Sequence, residues 1–174
     1  DLTMAGTSQM FDLHQRCFHL AARKGLPYVF AGHFAPQQMK EALQIYRELF
    51  EPSEVLDKPY VIVCLNTIVS DSDEQAEYLA TTMSQIMVSI TRGKMQPVQP
   101  PTDDLKALLT PREYELAQQR LKGSLIGSED TVKQKLESFI KEYGDIDELM
   151  AISYIYDQDK QIESYRRLER AIKS

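Results

Sequence analysis

At 174 residues the chain fits one domain. It is 43% hydrophobic and 26% charged, with a formal net charge of −6, so it can bury a core and stay in water, and an acidic chain without a long basic run argues against binding a phosphate backbone. No apolar run approaches the roughly 20 residues of a membrane-spanning helix, and residues 1–4 lack the charged and apolar regions of a signal peptide. Cys17 and Cys64 stand alone without metal-ligand spacing, which reads as two reduced thiols in a cytoplasmic protein.

In chain order, residues 2–5 are a short apolar run that closes on Gly6-Thr7-Ser8. Residues 11–24 have helical periodicity, with Phe11, Phe18, Ala21 and Ala22 available for a buried face. Gly25 is placed as a C-cap, and Pro27 stops the helix. Residues 28–31 form a continuous apolar run, as in a strand covered on both faces, and break at Gly32-His33. A second helix is predicted over 36–50, with Met39, Leu43, Tyr46 and Phe50 at helical spacing and Pro36 in its first turn. Residues 59–66 are the strongest strand signal, with Asn66 and Thr67 at the strand's end.

Asp71-Ser72-Asp73-Glu74 supplies an N-cap and acidic first-turn residues for a helix carrying Ala76, Leu79, Ala80, Met83, Met87 and Ile90. That helix stops near Gly93. A Pro-rich segment around 94–122 reads as an insertion within one fold, with a loop over 95–102 and one or two helices over 105–121 broken near Thr110-Pro111. Ser124-Leu125-Ile126-Gly127 reads as a turn, and Ser128 as the cap of a helix through Tyr143 that buries Val132, Leu136, Phe139 and Ile140. A late strand follows over 147–153. A terminal helix over 158–172 sets Ile162, Tyr165, Leu168 and Ile172 on one side.

This alternation predicts an α/β protein with about four parallel strands joined by helical crossovers, all within a single domain over 1–174. A closed (β/α)8 barrel typically takes ~250 residues, and an open sheet this small exposes its edges.

Four stretches, in order, resemble one family. They are Ala21-Ala22 through Gly25-Leu26-Pro27-Tyr28-Val29-Phe30-Ala31-Gly32-His33-Phe34-Ala35-Pro36; Pro59-Tyr60-Val61-Ile62-Val63 leading to Asp71-Ser72-Asp73-Glu74-Gln75-Ala76; Leu125-Ile126-Gly127-Ser128 with Thr131-Val132 and Leu136; and Asp147-Glu148-Leu149-Met150. Over about residues 20–172 the chain is similar to the C-terminal half of the bacterial luciferase-like, flavin-dependent monooxygenases. The resemblance implies half of a TIM-type (β/α)8 barrel, with FMN bound at the C-terminal ends of the strands. It implies activation of oxygen by reduced FMN to oxidise a small organic substrate. The reductant is a separate NAD(P)H-dependent flavin reductase or bound nicotinamide, and dimerisation is common. The first four βα units of such a barrel are absent from the sequence, and the spacing from Gly6-Thr7-Ser8 to Ala21-Ala22 is longer than the family pattern.

Against that background, Gly6, Thr7 and Ser8 are candidates for the FMN phosphate, because a helix N-terminus with free N–H groups attracts an anion; an ordinary N-cap is the plain alternative. His33 is the candidate catalytic residue, able to hydrogen-bond the ring or hand on a proton, against a structural loop histidine. Ala31 and Gly32 beside it allow close backbone approach to a planar ring. Asn66 with Thr67, and Ser153 with Tyr154, hold equivalent strand-end places. Ser128-Glu129-Asp130 reads as a cap, since its acids disfavour phosphate. His14 and His19 have no partner spacing for a metal, and no dinucleotide, Walker or nucleophile-elbow motif is present. The rival expectation is a non-catalytic half-barrel that binds flavin or assembles with itself or a homologue, because open edges and an apolar interior call for a partner.

Overall fold

A computed structural model describes residues 17–33 and 38–173. A helical stretch over 17–23 (α1) leads to β1 (Tyr28–Phe30), α2 (Met39–Glu48) and β2 (Val61–Ser70). Next come α3 (Asp73–Thr91), α4 (Leu105–Leu108), α5 (Pro111–Leu121) and β3 (Leu125–Ser128). The chain ends with α6 (Glu129–Tyr143), β4 (Glu148–Ile152) and α7 (Gln158–Lys173). The residues pack as two compact units, one of Asp1–Cys64 with Tyr143–Met150 and one of Leu65–Glu142 with Ala151–Ser174. The boundary between these units falls within β2.

In the first unit β1 pairs in parallel with β2, Tyr28 opposite Val61 and Phe30 opposite Val63. Side chains alternate along a strand. Tyr28 and Phe30 are buried while Val29 between them is 46% exposed, so one face of the strand is open, contrary to the two-sided burial predicted. The buried face is aromatic. Tyr28 lies 5.4 Å from the Tyr46 ring and 6.1 Å from Phe18, and Tyr46 meets Phe50 edge-on at 5.9 Å. Burial, with a smaller contribution from Cys17, pushes the Tyr28 phenol up to about 12. Tyr46 also joins three segments, its hydroxyl donating to Leu26 O at 2.8 Å and accepting from Tyr60 N at 3.2 Å.

Gly25 ends α1 with φ +59°, and a Cβ there would sit 2.5 Å from the Ser53 Cβ and 2.6 Å from Glu51 O. Glycine is required by both backbone and space. The same turn is stitched to the chain after α2, Glu51 N donating to Ala22 O at 2.9 Å and Ser53 Oγ to Gly25 O at 2.9 Å. Arg47 closes the end of α6 by donating to Tyr143 O at 2.6 Å and Asp145 O at 2.7 Å. Asp147, just before β4, donates its N–H to Val61 O at 2.9 Å and accepts Val61 N on its carboxylate at 2.8 Å. From there β4 pairs with β2.

In the second unit the rest of β2 pairs in parallel with β3, Thr67 opposite Leu125 and Ser70 opposite Ser128. The predicted turn over 124–127 is therefore a strand. Because β2 continues to Ser70, Asn66 and Thr67 lie inside it rather than at its end. Ile68 packs with Ala76, Leu79, Ala80 and Met83 of α3 and with Ile155.

The predicted insertion is strapped to α3 by carbonyls. Prolines lack N–H donors, so this stretch is held mainly as an acceptor. Thr82 Oγ1 donates to Gln99 O at 3.0 Å and Gln85 Nε2 to Pro100 O at 3.0 Å. Thr110 and Glu113 form a capping box at α5, with Pro111 in its first turn. Arg92, capping α3, pairs with Glu113 at 2.7 Å.

The helix faces differ from expectation in two places. In α6, Val132 and Phe139 are buried but Ile140 is exposed. In α7, Ser164, Leu168 and Ala171 face inward while Ile162, Tyr165 and Ile172 are exposed. Ser164 is inward because its hydroxyl accepts the Val69 N–H of β2 at 2.9 Å.

Candidate functional site

Parallel α/β folds place ligands at the C-terminal ends of their strands, so those ends locate the chemistry. Gly6, Thr7 and Ser8, the predicted phosphate contacts, lie outside the described residues.

In the first unit, β1 ends at Ala31-Gly32-His33. Gly32 is buried and its N–H donates to Phe30 O at 3.0 Å. The His33 N–H donates to Cys64 O on β2 at 3.0 Å. Both backbone donors of the strand end are thus consumed in holding the turn, and what remains to act there is the half-buried imidazole of His33. Burial pushes its pKa below the ordinary histidine value, and the Cys64 carbonyl opposes that shift only in part. His33 is therefore neutral at pH 7, offering one ring donor and one ring acceptor rather than a cation. The Cys64 thiol, buried on the adjoining strand, is pushed up by burial and stays protonated.

In the second unit, Asn66 on β2 is 2% exposed and Ser153, just past β4, is 5% exposed. Asn66 Nδ2 and Ser153 Oγ have no hydrogen-bond partner among the described residues. Their neighbours are satisfied. Thr67 Oγ1 donates to Leu65 O at 3.2 Å, and Ser153 O accepts Gln161 Nε2 at 2.6 Å. Native folds rarely leave buried polar atoms unpaired, so these two stand out.

The ends of β2 and β3 are taken up by structure. Asp73, in the first turn of α3, accepts the Ser128 N–H at 2.6 Å and the Thr131 hydroxyl at 2.9 Å. These bonds hold its carboxyl below the usual carboxylate range. Ser128 Oγ accepts Thr131 N at 3.4 Å, the helix cap that the sequence suggests. Gly127, at φ +155°, makes room, since a Cβ there would sit 2.6 Å from Thr131 Cγ2 and 2.9 Å from Asp73 Oδ1. Arg167 pairs with Asp71, with Glu129 at 3.2 Å and with Glu163 at 3.4 Å, and Arg170 with Glu129 at 3.0 Å. These arginines are committed to carboxylates and are not placed to receive a phosphate.

An open groove of about 910 Å³ lies elsewhere in this unit, among Tyr78, Thr81, Lys106, Tyr114 and Lys122, and includes neither Asn66 nor Ser153. Among the described residues, no group of three or more His, Cys, Asp or Glu side chains is placed to hold a metal ion. No described helix is long and apolar enough to cross a membrane.

Asp73 read from sequence only as a first-turn acid; its pattern with Gly-Ser-x-x-Thr, 54 residues on from Asp73 to Gly127, was the one available sign of the clamp. The unpaired state of Asn66 and Ser153 leaves no mark in the sequence.

The chain is similar to known proteins in sequence and in fold. The luciferase-like monooxygenase family model matches residues 14–145. A luciferase-like monooxygenase of Escherichia coli (strain K12) is 40% identical over 146 residues, which cover 84% of this chain and 43% of that protein. The structure of apo-MsnO8 superposes with a TM-score of 0.78 at 27% identity, covering 91% of this chain and 48% of its own. The oxygenating constituent of 3,6-diketocamphane monooxygenase from the CAM plasmid of Pseudomonas putida, a type II Baeyer–Villiger monooxygenase, was solved in complex with FMN. It shares the fold at a TM-score of 0.58 and 18% identity, over 89% of this chain and 44% of its own. The chain thus spans less than half the length of these relatives, and its fold class is half of a TIM-type barrel with parallel strands and helical crossovers. With the family model matching residues 14–145, most of the chain, the chain belongs to the luciferase-like monooxygenases.

Proposed function

We propose that this chain is the flavin-facing half of an FMN-dependent monooxygenase that uses oxygen to oxidise a small organic substrate. The observation that carries this reading is the shared fold with a monooxygenase solved in complex with FMN. Bound in its reduced form, FMN supplies the electrons that activate oxygen. The reductant is NAD(P)H, acting through a separate flavin reductase or bound directly.

The described residues suit the neutral ring of FMN better than its phosphate. Neutral His33 at the end of β1 can hydrogen-bond a planar ring without adding charge, and buried Gly32 with half-buried Ala31 beside it carry little side chain to keep such a ring away. Arg167 and Arg170 are ion-paired, so phosphate anchoring falls to Gly6, Thr7 and Ser8 or to the remaining half of the barrel. His33 in this reading orients the ring and accepts or passes a proton as a neutral imidazole. Pairing with a second copy or a barrel half completes the wall, and the protein works in the cytoplasm.

FMN titration of the purified chain, followed by quenching of flavin fluorescence, tests the reading. Saturation at micromolar FMN supports it, and His33→Ala then weakens binding. No binding near millimolar FMN favours a second reading, a half-barrel that assembles without turnover. The exposed Val29 on the open face of β1 speaks for that alternative.

A further inference from the structure

The sides of α7 meet different surroundings. Ser164, Leu168 and Ala171 face the core of the second unit. On one flank Arg167 and Arg170 reach Glu129 of α6 at 3.2 Å and 3.0 Å, so that side is committed to α6. On the other flank run Ile162, Tyr165, Glu169 and Ile172, three or four residues apart and therefore in one stripe. The three apolar side chains of the stripe are 41%, 40% and 51% exposed. A single exposed apolar residue is ordinary, but three along one stripe of a helix call for a partner.

The stripe itself says which partner fits. Its spacings are three, four and three, the same from either end, with an isoleucine at both ends. A second copy of α7 laid antiparallel across it, about a two-fold axis midway between Tyr165 and Glu169, sets Ile162 against Ile172 of the second copy and Tyr165 against Glu169 of the second copy. Each contact is made twice, as an isologous interface requires. Glu169 accepts Lys173 Nζ at 2.5 Å on one oxygen, and a carboxylate has a second oxygen for a phenol. Asp159 in the first turn and Lys173 in the last border the stripe and come opposite each other with opposite charge. Arg166 meets its own copy near the axis, and its pairing with Glu163 at 3.8 Å offsets that repulsion only in part. We infer that this flank of α7 is the contact face of a weak two-fold dimer of this chain. The inference gives a face to the pairing with a second copy proposed above and does not depend on flavin. The patch is well below the roughly 800 Å² per partner of a standard interface, so the dimer is expected to dissociate at a Kd on the order of 100 µM.

Sedimentation equilibrium of the purified chain from about 10 µM to about 1 mM tests it, and the mass is expected to rise reversibly from monomer toward dimer. A monomer at every concentration overturns the inference and leaves the stripe to the other half of a barrel. Ile162→Glu and Ile172→Glu are each expected to weaken the dimer about tenfold or more while melting, when dilute, at the wild-type temperature, because both side chains are exposed in the single chain. A dimer unchanged by both substitutions forms through another face and overturns it. The antiparallel register is read by mixing two further variants. Tyr165→Glu sets carboxylates against each other and is expected to stay monomeric. Mixed with Glu169→Lys it gains an opposite charge across the axis, so the mixture is expected to associate more tightly than either variant alone. A mixture no tighter than its components overturns the inference even where an isoleucine variant fails to fold. FMN titrated into the same samples keeps the readings apart: a dimer that binds no FMN sinks the flavin proposal alone, and FMN binding by a chain that stays monomeric sinks this one alone.

Discussion

The two units are held by different forces. The first is stacked from aromatic rings around Tyr46, whose hydroxyl ties Leu26 to Tyr60, and closed by a turn in which only glycine fits. The second packs aliphatic side chains of β2 and α3 and is fastened at its surface by carboxylates: Asp73 across β3 and α6, Glu113 to Arg92, and Glu129 to Arg167 and Arg170. Ring stacking and area burial are not subject to ionic screening, whereas exposed ion pairs are screened and titrate. One family fold thus carries one region tuned by shape and another tuned by charge.

The largest expected effect attacks the shape-held region. Tyr46→Ala removes a fully buried ring and both hydroxyl bonds, and is expected to lower stability by about 3–5 kcal/mol in urea unfolding, equally at low and high salt. A strong salt dependence would erase the contrast. Gly25→Ala forces a Cβ into Ser53 and Glu51 at positive φ and is expected to cost about 2 kcal/mol or more, with faster amide exchange confined to the first unit.

Smaller effects are expected in the charge-held region. Asp73→Ala frees the Ser128 N–H and Thr131 hydroxyl and should speed exchange in 125–131 while leaving the aromatic unit unchanged. The pH responses sharpen the difference further. Glu113 is held down to about 2, chiefly by hydrogen bonds from Arg92 and then Thr110. The stability it adds is present above its ordinary value of 4.5 and is lost as pH falls toward 2. His33 is also lowered, by burial, so the first unit loses stability earlier, as pH falls below the ordinary histidine value of 6.5. Exchange measured from pH 7 to pH 3 should show segments near His33 loosening before those around Glu113; the reverse order would count against both assignments.

Helices were legible where capping and periodicity agreed. Ser72 caps α3 as its sequence suggests, with Gln75 N–H on its hydroxyl at 3.2 Å, and Thr110-Pro111 marks the break before α5. β3 was not legible: Leu125-Ile126-Gly127-Ser128 is too short for a period, and its extended form comes from pairing with β2. The α7 stripe failed for a related reason. Periodicity names an apolar face, but the Ser164 hydroxyl bound to Val69 turns the helix so that Ile162, Tyr165 and Ile172 point outward. The position of His33 just past a strand was legible from the apolar run before it, and the structure sets it after β1. Its neutrality depends on burial, and the idle amide of Asn66 depends on what its neighbours already bind; neither property is carried by spacing.

The two thiols give the chain a clock of its own. Cys17 is open to reagent, while Cys64 is sealed inside β2 beside the carbonyl that anchors His33. Alkylation of native protein should therefore mark Cys17 at once and Cys64 only when the strand parts. The slow second label counts openings of the segment that holds His33, and a ligand seated against that strand end would be read as a longer wait.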